Sequence, residues 1–165
     1  MRFYLIISFF LFSSVAFTQE TLSELLQQYN NKSVPYISVQ ELAMPKTKAI
    51  ILDAREIEEY NVSHIKDAIH VGYDFFDINT VLEQITNKEE TIVVYCSLGI
   101  RSETIAEKIK KAGYNNVLNL YGGIFEWKNN AFKVYDLNDL VTEKIHTFSQ
   151  EWSKWLLKGE KVYDK

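Results

Sequence analysis

The chain has 165 residues, a formal net charge of −4, 47% hydrophobic residues and 14% aromatic residues. That length suits one domain with a core large enough to fold unaided, and the aromatic content excludes a disordered chain. An acidic balance without a basic cluster argues against nucleic-acid binding. One cysteine and three scattered histidines make a structural zinc site unexpected, and neither a metal nor a cofactor is called for.

Residues 1–19 differ in composition from the rest. Arg2 precedes an apolar run from Phe3 to Phe12, followed by Ser13, Ser14 and Ala16. This pattern predicts a secretory signal peptide cleaved near Ala16 or Thr18, and the run is short for a membrane anchor. The mature protein is therefore expected in a periplasm or secreted, with no membrane association after cleavage. Small exported proteins usually pair their cysteines. A single cysteine cannot pair internally, so Cys96 is either incidental or a working thiol, and a dithiol mechanism is excluded.

Residues 20–35 read as a helical extension. Leu22, Leu25, Leu26 and Tyr29 share a face, and Thr21 with Glu24 matches a capping box. Tyr36-Ile37 follows as a short strand, and Ser38 with Glu41 opens a second capped helix ending before Pro45. Ala49–Leu52 is a buried-strand run that ends at Asp53. Sites in open α/β sheets gather beyond the carboxyl ends of strands, which puts Asp53 and Arg55 near the site. A structural role is expected for both, with Arg55 paired to Glu58 or Glu59. His64 and His70 flank a short strand at Ala68–Val71, and His64 is read as fixing a turn rather than as a general base. Asp77–Thr86 predicts a helix with Ile78, Val81, Leu82 and Ile85 inward.

The chemistry centres on Thr91–Ser102, TIVVYCSLGIRS. A buried strand, Ile92–Tyr95, ends at Cys96. A tight loop leads into a helix with Ile105, Ala106, Ile109 and Ala112 on its apolar face, capped by Ser102 and closed by Gly113. A thiolate is the reactive form of cysteine, and helix N-termini and nearby cations favour it. Gly99 lets the loop curl, and Arg101 adds a fork-shaped positive charge. Beyond it lie a strand at Val117–Leu120 and a helix after Gly122-Gly123 carrying Phe125 and Trp127. Strands and helices alternate, which predicts an α/β fold of three layers, a central parallel sheet with helices on both faces. Phe148, Trp152, Trp155 and Leu156 fall on one helical face, so residues 133–165 are expected as a helical tail packed on the domain.

Cys96-Ser97-Leu98-Gly99-Ile100-Arg101-Ser102 resembles the active-site loop of single-domain rhodanese-like sulfurtransferases, Cys-x-x-Gly-x-Arg-Ser/Ala. Asp53-Ala-Arg55, His64-Ile65-Lys-Asp-Ala68-Ile69 and Gly122-Gly123 with Trp127 resemble that family's other segments, in its order. The resemblance implies a rhodanese-like domain over residues 36–132. Ser63 and Asp67 stand where the family usually has glycine, both in a turn away from the sulfur site. It implies Cys96 as nucleophile, the loop from Ser97 to Ser102 as substrate binding, and Asp53, Arg55 and His64 as scaffold near the site.

The function then expected is transfer of sulfane sulfur from a small sulfur-donor anion such as thiosulfate, or from a persulfide, to a thiol or cyanide acceptor through a Cys96 persulfide. Cysteine-based phosphatases and arsenate reductases place five residues between cysteine and arginine. Here four separate Cys96 from Arg101, a smaller ring suited to one sulfur atom. The remaining alternative is a persulfide carrier or binding module that docks a protein partner in the same compartment through the aromatic tail. Ser97 and Leu98 bring no cation to the loop, so Lys66 and Lys128 are the candidates to supply one.

Overall fold

The computed structural model describes residues 20–163, so the expected signal peptide lies outside the described residues. Five parallel strands form the central sheet, in the order β1 (Tyr36–Ile37), β5 (Asn116–Leu120), β4 (Thr91–Tyr95), β2 (Ile50–Asp53) and β3 (Ile69–His70). The middle position of β4 follows from its composition. Ile92, Val93, Val94 and Tyr95 are all fully buried, as a strand covered on both faces requires.

Side chains alternate across a strand, and here they sort into two cores. Val93 and Tyr95 join Leu25, Val39, Ile124 and Phe125 on one face. Ile92 and Val94 join Val81, Ile105 and Ile109 on the other. The first face is covered by α1 (Leu22–Tyr29), α2 (Val39–Leu42) and α6 (Gly123–Asn129), the second by α4 (Ile78–Gln84) and α5 (Arg101–Lys111). A further short helix, α3 (Ile57–Val62), follows β2. The three expected layers are present.

Several helix ends are set by local chemistry. Thr21 and Glu24 form a reciprocal capping box at α1, and Ser38 and Glu41 form another at α2. Asp77 accepts the Asn79 N–H at the start of α4. Helix α5 closes at Ala112, with Gly113 beyond it at φ +96°. Two details depart from expectation. Leu82 is exposed, and Val81 and Ile85 carry the α4 contact. Ser102 does not cap α5: Ile100 occupies the cap position without a side-chain acceptor, and the Ser102 hydroxyl is drawn into the site.

The expected helical tail is replaced by other structure. Strands β6 (Val134–Tyr135) and β7 (Val141–Thr142) form an antiparallel hairpin, β8 (Lys144–His146) and β9 (Glu160–Val162) form a parallel pair, and only Trp152–Trp155 turns as a 3-10 helix. The Asp136 carboxylate accepts the N–H groups of Asn138 at 2.8 Å and Leu140 at 3.0 Å, which reverses the chain. Phe148, at φ +62°, breaks the helical run. Ile145 and Leu156 are buried, and Trp152 and Trp155 pack against the first core. His64 and Tyr135 exchange both backbone hydrogen bonds at 2.9 Å, which ties the hairpin to the turn after α3. The His64 ring stacks on Tyr60 at 4.1 Å.

A buried ionic knot holds the carboxyl ends of β2 and β4. Arg55 donates from Nη2 to Asp53 Oδ2 at 2.6 Å and to the Ser63 carbonyl at 2.6 Å, with both charged side chains fully buried. The Tyr95 hydroxyl donates to the same Asp53 oxygen and accepts the Ile65 N–H at 3.2 Å. Burial, then the Asp53 charge, pushes the Tyr95 hydroxyl well above its usual range, so it stays a donor. Arg55 thus pairs with Asp53 and not with Glu58 or Glu59. Removing one partner of a buried pair leaves an uncompensated charge. Arg55→Met is expected to lower stability by about 3–5 kcal/mol, read as a drop in the urea midpoint. A loss below about 1 kcal/mol would show that the knot does not hold the strand ends.

Candidate active site

Cys96 lies one residue past the end of β4, buried and unpaired. Its carbonyl accepts the Ile124 N–H at 2.9 Å, and the Ser97 carbonyl accepts the Phe125 N–H at 3.1 Å. The amino end of α6 therefore backs the loop. This contact needs glycine at 123: a Cβ there would lie 2.2 Å from the Cys96 carbonyl oxygen.

The sulfur faces the turn that follows. The Gly99 N–H donates to Cys96 Sγ at 3.2 Å. The following peptide is pinned as well, since the Gly99 carbonyl accepts from Asn119 Nδ2 at 2.8 Å and from Asn30 Nδ2 at 2.8 Å. Gly99 adopts φ +97°, and a Cβ would meet the Leu120 carbonyl at 3.0 Å. Asn119 is fully buried on β5, and its Oδ1 accepts the Ser102 hydroxyl at 2.7 Å. The Ser102 oxygen also sits 3.5 Å from Cys96 Sγ. The first turn of α5 is held in turn by the chain after α1: Glu103 accepts the N–H groups of Asn31 at 2.9 Å and Ser33 at 3.0 Å.

Arg101 and Ser97 meet on Glu59 of α3. Arg101 donates to both Glu59 oxygens, at 2.7 and 2.8 Å, and Ser97 Oγ donates to Glu59 Oε1 at 3.0 Å. Glu59 is 1% exposed. Burial works to raise its pKa, but the hydrogen bonds and charge of Arg101, then the Arg55 charge, outweigh it and hold the carboxyl below its usual range. The Arg101 fork, expected to present free charge at the mouth, is closed on this carboxylate. Lys66 and Lys128 do not replace it, since they pair with Asp139 and Glu143.

A cleft of about 190 Å³ opens over the loop, lined by Cys96, Ser97, Leu98, Ile100 and Arg101 together with Phe148 and Trp152 of the tail. Of the residues expected here, Gly99 and Ser102 approach the sulfur, and Ser97, Leu98, Ile100 and Arg101 line the cleft beside Cys96. Asp53, Arg55 and His64 belong to the knot and turn described above. Glu59, Asn119, Asn30, Phe148 and Trp152 were not anticipated. Each reaches the loop across a long stretch of sequence, without a local pattern to mark it.

The rhodanese-like domain family matches residues 38–130, more than half of the chain. The chain belongs to the rhodanese-like family. Among its curated relatives, the thiosulfate sulfurtransferase GlpE of Coxiella burnetii is 30% identical over 97 residues, 59% of this chain and 87% of that protein. The tRNA uridine(34) hydroxylase of Onion yellows phytoplasma is 34% identical over 97 residues, 56% of this chain but 32% of that protein. The putative sulfur carrier protein YrkF of Bacillus subtilis is 32% identical over 101 residues, 59% of this chain and 53% of that protein. The chain thus spans about a third to a half of these last two. The crystal structure of the BH2092 protein from Bacillus halodurans superposes with a TM-score of 0.56 at 24% identity, over 70% of this chain and 87% of that one, and shares the fold.

Glu59, which holds this rhodanese-like loop from α3, carries a pH signature. Its folded pKa is depressed, so its contribution to stability is present above the ordinary value of 4.5 and is lost as pH falls through the lower folded pKa. Glu59→Gln is expected to cost about 2–3 kcal/mol near neutral pH and to flatten the acid limb of the stability curve, measured by urea unfolding over a pH series. An unchanged acid limb would remove Glu59 as the group that titrates.

Proposed function

We propose that this protein is a sulfurtransferase that carries sulfane sulfur as a Cys96 persulfide. The observation that carries this reading is the Gly99 N–H held on Cys96 Sγ at 3.2 Å, at the floor of an open cleft. A preorganised donor aimed at the atom where negative charge resides is the arrangement that stabilises an anionic sulfur.

The Cys96 thiolate attacks the outer sulfur of a donor. With thiosulfate the donor's S–S bond breaks, its electron pair leaves with sulfite, and Cys96 carries a persulfide anion. A cyanide or thiol acceptor then attacks the terminal sulfur and the Cys96 thiolate returns. Ser102 adapts to both states with its single proton. It donates to Asn119 Oδ1 at 2.7 Å, and it can turn to the sulfur 3.5 Å away to meet a negative charge there. The sequence of residues 1–19 supports the further proposal that the protein is exported and acts outside the cytoplasm. The partial coverage of the hydroxylase relatives gives no support to carrying their activity over.

Intact mass before and after thiosulfate or polysulfide tests the reading. Cys96 is expected to gain one sulfur atom, cyanide to remove it, and Cys96→Ser to gain none. Turnover should follow two-step, ping-pong kinetics. No gain with either donor would leave Cys96 a scaffold thiol and contradict sulfur transfer. A loaded cysteine with negligible turnover would favour the carrier.

A further inference from the structure

Two features of the cleft bear on which sulfur donor it takes. The first is charge. The Arg101 guanidinium is spent on both oxygens of buried Glu59, and its charge is matched there. The Phe148 ring lies within cation–π range besides, its centroid 5.4 Å from Arg101 Cζ. Lys66 and Lys128 are bound to carboxylates elsewhere. An entering dianion would lose water against a lining whose one charged side chain, Arg101, is already paired with Glu59 behind it, with the Gly99 N–H as further compensation.

The second feature is the wall. Leu98, Ile100, Phe148 and Trp152 line the cleft beside Cys96. The two aromatics come from beyond residue 130, where the family match ends, so they belong to this chain's own tail. The Phe148 N–H donates to His146 Nδ1 at 3.2 Å, which sets its backbone in the left-handed region. The Trp152 ring stands edge-to-face on Tyr29 with centroids 6.0 Å apart. Aromatic side chains offer large apolar area to a ligand.

Resting on the Cys96 persulfide reading above, we propose that the physiological donor is an organic persulfide, R–S–SH, whose apolar R group packs on Phe148 and Trp152. The Cys96 thiolate attacks the terminal sulfur, the S–S bond breaks, and its electron pair leaves with R–S as the thiolate. The terminal proton stays on the transferred sulfur, giving Cys96–S–SH and R–S⁻, so atoms and charge balance without a further reactant. No step requires a cation, and the R group exchanges water for the aromatic wall.

Loading of Cys96 by benzyl persulfide, cysteine persulfide and thiosulfate tests this, followed by mass against the Cys96→Ser control. Second-order loading by benzyl persulfide is expected to exceed thiosulfate by at least about tenfold and cysteine persulfide by about fivefold. Phe148 is about half exposed, so its substitution leaves the core intact. Phe148→Ala should bring the benzyl and cysteine persulfide rates together, and Phe148→Arg should raise the thiosulfate rate by about tenfold by adding an unpaired cation. Equal rates for the two persulfides in the native chain, or thiosulfate matching benzyl persulfide, would overturn the donor assignment while leaving sulfur transfer standing. Absence of sulfur on Cys96 from every donor would overturn both.

Discussion

The conformation of Gly99 is the constraint on which the site depends. Its carbonyl, in the peptide shared with Ile100, is clamped by two side-chain amides, Asn119 from β5 and Asn30 from the end of α1, while its N–H, in the peptide shared with Leu98, donates to Cys96 Sγ. Only glycine can take this conformation so close to the Leu120 carbonyl. The helix after the loop adds its dipole, but a dipole is diffuse, whereas a hydrogen bond from a residue pinned at its carbonyl is directional. The rest of the fold serves the placement of this residue. The parallel sheet brings β4 and β5 side by side, with Val94 opposite Asn119, so the residue that clamps the loop lies beside the strand that ends in the nucleophile.

Charge is balanced inside the site rather than offered at its mouth. Glu59 collects Arg101, Ser97 and the Glu56 N–H, and behind it Asp53, Arg55 and Tyr95 form a second set in which Arg55 Nη1 alone is left without a partner. Buried ions keep their charge only when their partners replace water. Both sets tie α3 and the turn after it to the strand ends. Arg101 therefore acts as a strut between the loop and α3, and the lining that remains toward solvent is mainly apolar.

Much of the fold was legible because it is written locally. The capping boxes at Thr21 and Ser38, the Gly113 stop and the apolar run of β4 each lie within a few residues, and the structure forms all of them. The loop from Cys96 to Ser102 was legible for the same reason. What was hidden depends on distance in sequence. Glu59 meets Arg101 across 42 positions and Asn30 meets Gly99 across 69. An isolated asparagine or glutamate gives no sign of which loop it will reach. The tail failed differently. Its aromatic spacing fits a helix, but the Asp136 turn and the left-handed Phe148 are backbone events that outweigh periodicity, leaving a hairpin, a parallel pair and one 3-10 turn. Ser102 shows the same competition at one residue, since a buried acceptor on Asn119 draws the hydroxyl that would otherwise cap α5.

The most direct test of this account is the Gly99 amide proton resonance in isotope-labelled protein, recorded before and after Cys96 is loaded with polysulfide. If that N–H steadies the anionic sulfur, its signal should move downfield on loading by more than any other amide from Ser97 to Ser102, and return when cyanide removes the sulfur. A Gly99 signal unmoved while mass shows full loading would contradict the central claim, and the clamp on its carbonyl would then be a feature of the fold alone.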